Sequence, residues 1–214
     1  MIKDNFGRPV LNLRISVTQR CNLRCPYCHR EGQEMKAEDS AIEMDTTEII
    51  RIAKVAIELD IRKIKITGGE PLQRDDILDV VEGIAKLPGL QDLSMTTNGV
   101  FLASMAKDLK IRGLMRVNVS LPTLKEDVYR GLMDGSLIAV SEGIHASVNA
   151  GLYPVKINMV VLADVNENEV YDMIKFARES NALLQLIELE PINLSQTYYR
   201  QHHYPLDKIK AELT

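Results

Sequence analysis

The chain has 214 residues, 45% of them hydrophobic and 26% charged, so it is long enough to bury one substantial core and is expected to form one domain. Its net charge of −4 excludes a general electrostatic attraction to nucleic acid. No apolar run reaches the length of a membrane span, and residues 1–5 lack the hydrophobic segment of a secretory signal. We therefore expect a cytoplasmic protein.

Strand-like segments alternate with segments of helical period along the chain. The predicted strands are 12–18, 62–67, 91–96, 116–120, 155–161 and 183–189, and the predicted helices are about 46–59, 76–86, 102–110, 138–150 and 169–180. Asp45 and Glu48 have the spacing of a capping box at the start of the first helix. This alternation predicts an α/β fold with a parallel sheet, either doubly wound or an open barrel.

The predicted strands alternate polar and apolar residues, whereas the strands of a doubly wound sheet are usually apolar throughout. The polar residues that share one face of their strand are Arg14, Ser16 and Thr18, then Lys63, Lys65 and Thr67, Ser94 and Thr96, Asn118 and Ser120, and Lys156 and Asn158. If helices cover the apolar face, the polar face lines an interior. The sequence therefore favours a partial (β/α)6 barrel with parallel strands, outer helices and a basic lumen suited to an anion. The alternative is a sheet whose polar face meets solvent, which is common among antiparallel strands.

The cysteines of the chain, Cys21, Cys25 and Cys28, fall together in one C-x3-C-x2-C run. Three thiolates on one loop suit a [4Fe-4S] cluster, because one of its four irons then stays open to a ligand that is not protein. Structural zinc is the alternative, but it takes four ligands, and the nearest candidate, His29, directly follows Cys28. A disulfide framework uses an even number of cysteines. The run therefore predicts an iron–sulfur cluster in a reducing compartment.

The cysteine run, with Tyr27 inside it and a strand before it, resembles the cluster loop of radical S-adenosylmethionine (SAM) enzymes. Residues 64–71, I-K-I-T-G-G-E-P, resemble the GGEP turn of that superfamily. Further segments are similar to the GTP 3',8-cyclases of molybdenum cofactor biosynthesis: 4–9, 13–18, 96–99, 118–120, 156–158 and 187–189. The resemblance covers nearly the whole chain.

The resemblance implies a lyase that takes one electron from an external donor and cleaves SAM reductively to a 5'-deoxyadenosyl radical. It implies that Cys21, Cys25 and Cys28 hold the cluster. The SAM-binding residues that it implies are Tyr27, Gly68, Gly69, Glu70, Asn98, Ser120 and Glu190. The residues that it implies for GTP are Arg14, Lys65, Thr96 and Lys156. Arginine supplies a planar fork and lysine a point charge, so the second set suits a polyphosphate on chemical grounds as well.

Two residues depart from the pattern of the cyclases. Gln185 stands where the family has a substrate-facing arginine, and Glu190 stands where it has a methionine that contacts SAM. The cyclases also have three downstream cysteines that hold a second cluster for the purine of GTP, and none follows Cys28 in this sequence.

The domain expectation is a radical SAM core over residues 1–214, in which 1–11 leads into the barrel and 191–214 begins a C-terminal extension. The chain is then expected to be the front part of a longer enzyme that turns over GTP poorly by itself, or a shorter relative acting on another anionic small molecule. A different hypothesis is a metal-binding scaffold that keeps the cysteine loop without catalysis, for which tightly held zinc would be the sign.

Overall fold

The structure is a computed structural model that describes residues 2–28 and 43–213. The strands are β1 (Asn12–Ser16), β2 (Lys63–Thr67), β3 (Asp92–Thr97), β4 (Arg116–Ser120), β5 (Val155–Val161) and β6 (Leu183–Glu188). The α-helices are α1 (Thr46–Glu58), α2 (Ile77–Ala85), α3 (Leu102–Ile111), α4 (Glu126–Met133), α5 (Leu137–Asn149), α6 (Val170–Glu179), α7 (Gln196–His202) and α8 (Leu206–Leu213). None of the helices within the described ranges has the length and apolar composition needed to cross a bilayer.

The sheet is parallel, and its strands pair in the order in which they occur along the chain, from β1 to β6. A doubly wound sheet reverses its strand order at a switch point, and the described strands show no such reversal. Their order is that of a (β/α) barrel, with β1 and β6 as the edges of a sheet that is not closed. The predicted partial barrel is confirmed, and the doubly wound alternative is wrong.

The apolar face of the sheet is buried beneath the helices. Ile64, Ile66, Val117 and Val119, which alternate with polar residues along β2 and β4, are each at most 1% exposed. Helix α2 contributes Val80, Val81 and Ile84 to the same core. Removal of this apolar surface from water is the main force that holds the helices on the sheet.

Helix α1 begins with the predicted capping box. The Asp45 carboxylate accepts a hydrogen bond from the Glu48 amide at 2.8 Å, and the Glu48 carboxylate accepts one from the Asp45 amide at 2.9 Å. Arg74 is buried and joins the start of α2 to the residue after β1, because it donates to the Val17 carbonyl at 2.7 Å and to the Asp76 carboxylate at 2.6 Å. The Thr46 hydroxyl at the start of α1 donates to the same Asp76 carboxylate. These contacts hold the end of β1 close to the helix starts.

Three helices were not predicted from the sequence. Helix α4 has only eight residues and contains Gly131, so it is too short to show a helical period. Helices α7 and α8 lie within 191–214, where the sequence was interpreted as the start of an extension. Of these, α4 matters most for the site, because it packs against the cysteine loop.

Candidate functional site

The cysteine loop follows β1 at the carboxyl edge of the sheet. Cys21, Cys25 and Cys28 are each half-buried, and none of them is in a disulfide. The sulfur of Cys21 accepts hydrogen bonds from the Leu23 amide at 3.5 Å and from the Asn98 side-chain amide at 3.9 Å. Burial raises the pKa of the Cys21 thiol, so a thiolate at this position needs a positive partner.

These surroundings fit an iron–sulfur cluster. Hydrogen bonds to the ligand sulfurs and partial burial are among the features by which proteins tune such clusters. Within residues 2–28 and 43–213, no three His, Cys, Asp or Glu side chains are arranged to hold a single metal ion. A cluster spreads its ligands over several irons, so it does not require the thiols to converge on one point. His29, the residue considered as a zinc ligand, lies outside the described residues.

Helix α4 supports the cysteine loop through Met133. The sulfur of Met133 lies 3.2 Å from that of Cys25, and it accepts a hydrogen bond from the Tyr27 hydroxyl at 3.0 Å. Burial raises the pKa of Tyr27 well above its usual value, so this hydroxyl stays neutral. Sequence reasoning missed Met133, since a methionine in a short helix carries no local signal of such a role.

The GGEP turn packs against the segment that enters the cysteine loop. The amides of Gly69 and Glu70 donate to the carbonyls of Thr18 and Arg20, both at 2.7 Å. A Cβ at Gly69 would lie 2.3 Å from the Arg20 carbonyl oxygen, and one at Gly68 would lie 2.6 Å from that of Thr18. The glycine pair is therefore required by this close approach of two backbones.

The Glu70 side chain is fully buried beside this turn. Its carboxylate accepts hydrogen bonds from the Leu72 amide at 3.0 Å, the Thr97 hydroxyl at 2.7 Å and the Asn98 amide at 2.7 Å. Burial raises its pKa, and these three hydrogen bonds act in the opposite direction. Asn98 in turn donates to the Asn22 side chain at 2.9 Å as well as to Cys21. Glu70 therefore contacts residues that support the cysteine loop.

The other residues expected at SAM lie along the carboxyl edge. Ser120 is the last residue of β4, is half-buried and lies directly opposite Asn158 of β5. Glu190 is exposed, two residues beyond the end of β6. The structure thus brings Tyr27, Gly69 and Ser120 to the same edge of the sheet, while Glu190 follows its outermost strand.

The polar face of the sheet carries a group of four cations, Arg14, Lys65, Arg116 and Lys156, which we call the cation cluster. Arg14 lies directly opposite Lys65, which lies opposite Ser94, and Ser94 lies opposite Arg116. Burial lowers the pKa of Lys65 most, and the charges of Arg116, Arg14 and Lys156 lower it further. The charge of Lys65 therefore interacts with those of the other three cations. Thr96 and Lys156 both lie opposite Asn118, on β3 and β5.

A cavity of about 300 Å³ opens at the cation cluster. Its lining residues are Asn12, Leu13, Arg14, Lys63, Ile64, Lys65, Asp92, Ser94 and Arg116. Sequence reasoning missed Arg116 and Asp92 as lining residues. The signal was present in the alternation, because each of them is two residues from a polar residue that had been assigned to the same face, Asn118 and Ser94 respectively.

Comparison with known proteins identifies the family of the chain. The family model of the Radical SAM superfamily matches residues 15–177. The chain is 49% identical to a probable GTP 3',8-cyclase of Thermococcus kodakarensis, over the whole chain and 68% of that protein. It is 39% identical to the GTP 3',8-cyclase of Listeria welshimeri, over 98% of the chain and 63% of that protein.

Solved structures support the fold. The chain superposes on Streptococcus suis SuiB bound to the precursor peptide SuiA with a TM-score of 0.78 at 18% identity, over 95% of the chain and 45% of SuiB. The TM-score with SuiB bound to S-adenosylmethionine is 0.72 at 19% identity, over 94% of the chain and 42% of SuiB. The chain thus spans about two thirds of the Thermococcus relative and less than half of SuiB. By both the family match and its curated relatives, the chain belongs to the radical SAM superfamily and, within it, to the family of GTP 3',8-cyclases.

Proposed function

We propose that this chain is the core of a radical SAM enzyme that binds a [4Fe-4S] cluster and acts on GTP in molybdenum cofactor biosynthesis. The observation that carries the proposal is the placement of the cation cluster and the cysteine loop on one barrel. Arg14 and Lys65 lie in the middle of β1 and β2, Arg116 and Lys156 lie in the amino-terminal parts of β4 and β5, and the cysteines follow the carboxyl end of β1. Such a barrel suits an anionic substrate held next to a redox centre.

The cysteine loop and the turns around it suit the two cofactors. When bound, the cluster supplies an electron and SAM supplies the group that abstracts hydrogen, while the protein supplies placement and shielding. In the proposal, Cys21, Cys25 and Cys28 hold the cluster. The residues proposed at SAM are Tyr27, Gly68, Gly69, Asn98, Ser120 and Glu190, and Glu70 contributes through the residues it fixes.

The backbone of the GGEP turn suits the ammonium group of SAM. The Gly69 and Glu70 amides already donate to carbonyls of the cysteine loop segment. The carbonyls of the turn are then the complementary groups, because an ammonium is a donor only. The Tyr27 hydroxyl is held by Met133, which leaves the ring as an apolar surface for the adenine.

The cation cluster suits the triphosphate of GTP. Arg116 is held at two points by Asp92, so its charge is fixed in place, and Lys65 is half-buried beside it. The proposed contacts are Arg14, Lys65, Thr96 and Lys156, with Arg116 beside them. The cavity volume lies at the lower end of the range of about 300–1,000 Å³ for small-molecule sites, which suits a phosphate chain rather than a whole nucleotide.

Three buried oxygens on the polar face also favour a polar ligand there. Ser94 Oγ, Asn118 Oδ1 and Asn158 Oδ1 have no hydrogen-bond partner among the residues that the structure describes. Leaving a buried polar atom unpaired costs about 1–3 kcal/mol, so a ligand or water that satisfies these atoms is favoured.

Anaerobic reconstitution with iron and sulfide tests the cofactor part of the proposal. We expect about four irons and four sulfides per chain, and cleavage of SAM to methionine and 5'-deoxyadenosine that depends on an added one-electron reductant. Substitution of any of the three cysteines by alanine should lower the iron content and stop cleavage. Tightly held zinc with no cleavage of SAM would instead indicate the scaffold hypothesis.

Calorimetric titration with GTP, and separately with inorganic triphosphate, tests the substrate part. Lys65→Ala should weaken binding of both, because it removes a cation of the cluster. Lys175→Ala is the matched control, since Lys175 is 74% exposed on α6 and should have no effect. Binding of triphosphate that is unchanged in Lys65→Ala would contradict the placement of the substrate.

A further inference from the structure

Three hydrogen-bonded units with the same pattern occur at the carboxyl edge of the sheet. We call them threonine clamps: the first joins Thr18 to Glu43, the second Thr97 to Glu70, and the third Thr123 to Glu169. In each clamp the threonine hydroxyl donates to the glutamate, at 2.6, 2.7 and 2.8 Å respectively. The amide of the next residue donates to the same carboxylate, at 2.9, 2.7 and 3.0 Å. The three clamps also share a hydrogen bond in which the threonine oxygen is the acceptor.

In every clamp, the threonine oxygen accepts a hydrogen bond from the amide two residues further along. The donors are Arg20, Gly99 and Lys125, at 3.1, 3.0 and 3.1 Å. Because this amide points at the hydroxyl oxygen, the hydroxyl proton is directed to the carboxylate, which accepts it in its ionised form. Each clamp therefore fixes three consecutive residues of a loop on one glutamate.

The carboxylates receive enough partners to be stable where they lie. The Glu43 and Glu169 carboxylates are approached by the cations of Arg20 at 3.9 Å and Lys125 at 3.7 Å. Glu70 instead accepts a further hydrogen bond from the Leu72 amide. Hydrogen bonds to an ionised group are stronger than those between neutral groups, and burial strengthens them further. The three threonines are each at most 2% exposed, so these bonds are protected from water.

The clamps lie at the loops that surround the proposed cofactor site. Thr18 and Glu43 flank the segment that holds all three cysteines, so the first clamp closes its base. The second clamp joins the GGEP turn after β2 to the loop after β3. The third joins the loop after β4 to the loop after β5. Together they tie down the loops that follow β1 to β5.

The second clamp reaches the cysteines directly. Its amide donor is Asn98, whose side chain donates to Cys21 and to Asn22. Glu70 thus fixes the backbone of Asn98, from which the side chain donates to the sulfur of Cys21, a proposed cluster ligand.

We propose that the three clamps are positioning elements that hold the rim of the site in its working geometry before the cofactors bind. They act through the loops, and of the clamp residues only Asn98 is also proposed at SAM. The identity of the cofactors rests on the proposed function, whereas the rigidity of the loops does not.

Valine and serine substitutions of the clamp threonines separate the hydrogen bonds from the shape of the side chain. Thr18→Val, Thr97→Val and Thr123→Val keep the shape and lose the hydroxyl, whereas the serine variants keep the hydroxyl. In hydrogen exchange on the cofactor-free chain, we expect the valine variants to exchange about ten-fold faster at the loop that carries the substitution and at its partner loop. The serine variants should exchange like the wild type. Thr47→Val is the control, because Thr47 is exposed on α1.

Glu169→Gln gives a second route to the same result. The amide keeps the shape of glutamate but replaces an acceptor oxygen by a donor, which faces the Thr123 hydroxyl and the Leu124 amide. It should accelerate exchange in the loops after β4 and β5, and it carries the test if Thr123→Val does not fold.

The reconstituted protein supplies a readout that a purely structural role would not change. Thr97→Val should shift the electron paramagnetic resonance spectrum of the reduced cluster and weaken SAM binding about ten-fold, and Thr97→Ser should restore both. The proposal would be overturned if all three valine variants exchanged at the wild-type rate. It would also be overturned if the valine and serine variants showed equally faster exchange. Failure to form a cluster would contradict the proposed function while leaving the exchange result interpretable.

Discussion

Asp92 and Arg116 form a two-point ion pair between the neighbouring strands β3 and β4. The Arg116 Nε atom lies 2.7 Å from Oδ1 of Asp92, and its Nη2 atom lies 2.6 Å from Oδ2. Both side chains are largely buried, at 23% and 18% exposure for the arginine and the aspartate. Because both line the cavity with Arg14 and Lys65, the aspartate offsets part of the positive charge of the cation cluster.

Replacement of Asp92 by asparagine should destabilise the ligand-free protein. The change leaves Arg116 without its carboxylate and removes a charge that raises the pKa of Lys65. We expect the free energy of unfolding to fall by about 1–3 kcal/mol, measured by chemical denaturation. Added inorganic triphosphate should raise the free energy of unfolding more in Asp92→Asn than in the wild type, because the ligand supplies the missing negative charge.

Glu179→Gln is the control for this experiment. Glu179 forms an ion pair with Lys175 on α6 in which both side chains are at least 65% exposed. Exposed pairs contribute little, so the free energy of unfolding should stay nearly unchanged. Equal losses in the two variants would show that Asp92 does not act through the cation cluster.

The lowered pKa of Lys65 predicts a pH dependence of anion binding. Burial and the neighbouring cations favour the neutral amine, and a bound polyphosphate favours the charged one. Affinity for inorganic triphosphate should therefore be highest below the pKa of Lys65 and fall as the pH rises through it. In Lys65→Arg the guanidinium stays charged, so the fall should be much smaller in a calorimetric series above pH 7. The same pH dependence in both proteins would exclude Lys65 as its source.

The stability of the ligand-free protein should change with pH in the opposite sense. The pKa of Lys65 is lower in the folded than in the unfolded state, so between the two values the unfolded state binds more protons. Stability from this group therefore rises with pH across that window and is lost as the pH falls through the folded value. Lys65→Arg should remove this contribution in denaturation curves measured at several alkaline pH values.

Much of the fold was predictable because the local patterns and the tertiary structure agree. The six strands and the capping box at Asp45 were predicted from alternation and spacing, and each is confirmed. Alternation in the strands also indicated an interior polar face. The short helix α4 was not predicted in this way, since its buried residues Tyr129 and Met133 have helical spacing but the helix has only eight residues, too few for the period to stand out.

Residues of the candidate site were predictable only where a local pattern carried them, either a motif or the alternation along a strand. The spacing of Cys21, Cys25 and Cys28 is local, so it was visible in the sequence. Contacts between residues far apart in the chain were not visible in the sequence. Examples are the contact between Cys25 and Met133 and the hydrogen bond between Thr123 and Glu169. These pairs meet only because a parallel sheet brings the carboxyl ends of its strands to one edge.

The contact between Tyr27 and Met133 can be measured with a double-mutant cycle. Met133→Leu conserves volume but removes the acceptor of the Tyr27 hydroxyl. We expect it to lower the free energy of unfolding by about 1 kcal/mol, and Tyr27→Phe to cause a similar loss. The double variant should lose less than the sum, with a coupling energy of about 0.5 kcal/mol or more. Strictly additive losses would show that the hydrogen bond contributes nothing to stability.

A methyl group at Gly69 should disrupt the junction between the GGEP turn and the cysteine loop. The Cβ of Gly69→Ala would lie 2.3 Å from the Arg20 carbonyl oxygen, and backbone cannot move aside as a side chain can. The substitution should lower the free energy of unfolding by about 1–3 kcal/mol, as overpacking does. It should also lower the iron content after reconstitution, because the displaced segment leads directly to Cys21.

Gly131→Ala is the matched control, since the same methyl group is added where the described residues leave space for it. Apart from its chain neighbours and the backbone of its own helix, no atom of residues 2–28 and 43–213 lies within 4 Å of the position that a Cβ would occupy at Gly131, which is inside α4. Alanine is favoured over glycine in a helix, so this variant should be more stable than the wild type by about 0.5–1 kcal/mol and should retain its iron. Because α4 supports the cysteine loop, a loss of iron in Gly131→Ala would mean that the loop depends on the flexibility of this helix. If Gly69→Ala is less stable and Gly131→Ala more stable than the wild type, the effect comes from the close approach at the turn and not from the loss of a glycine in general.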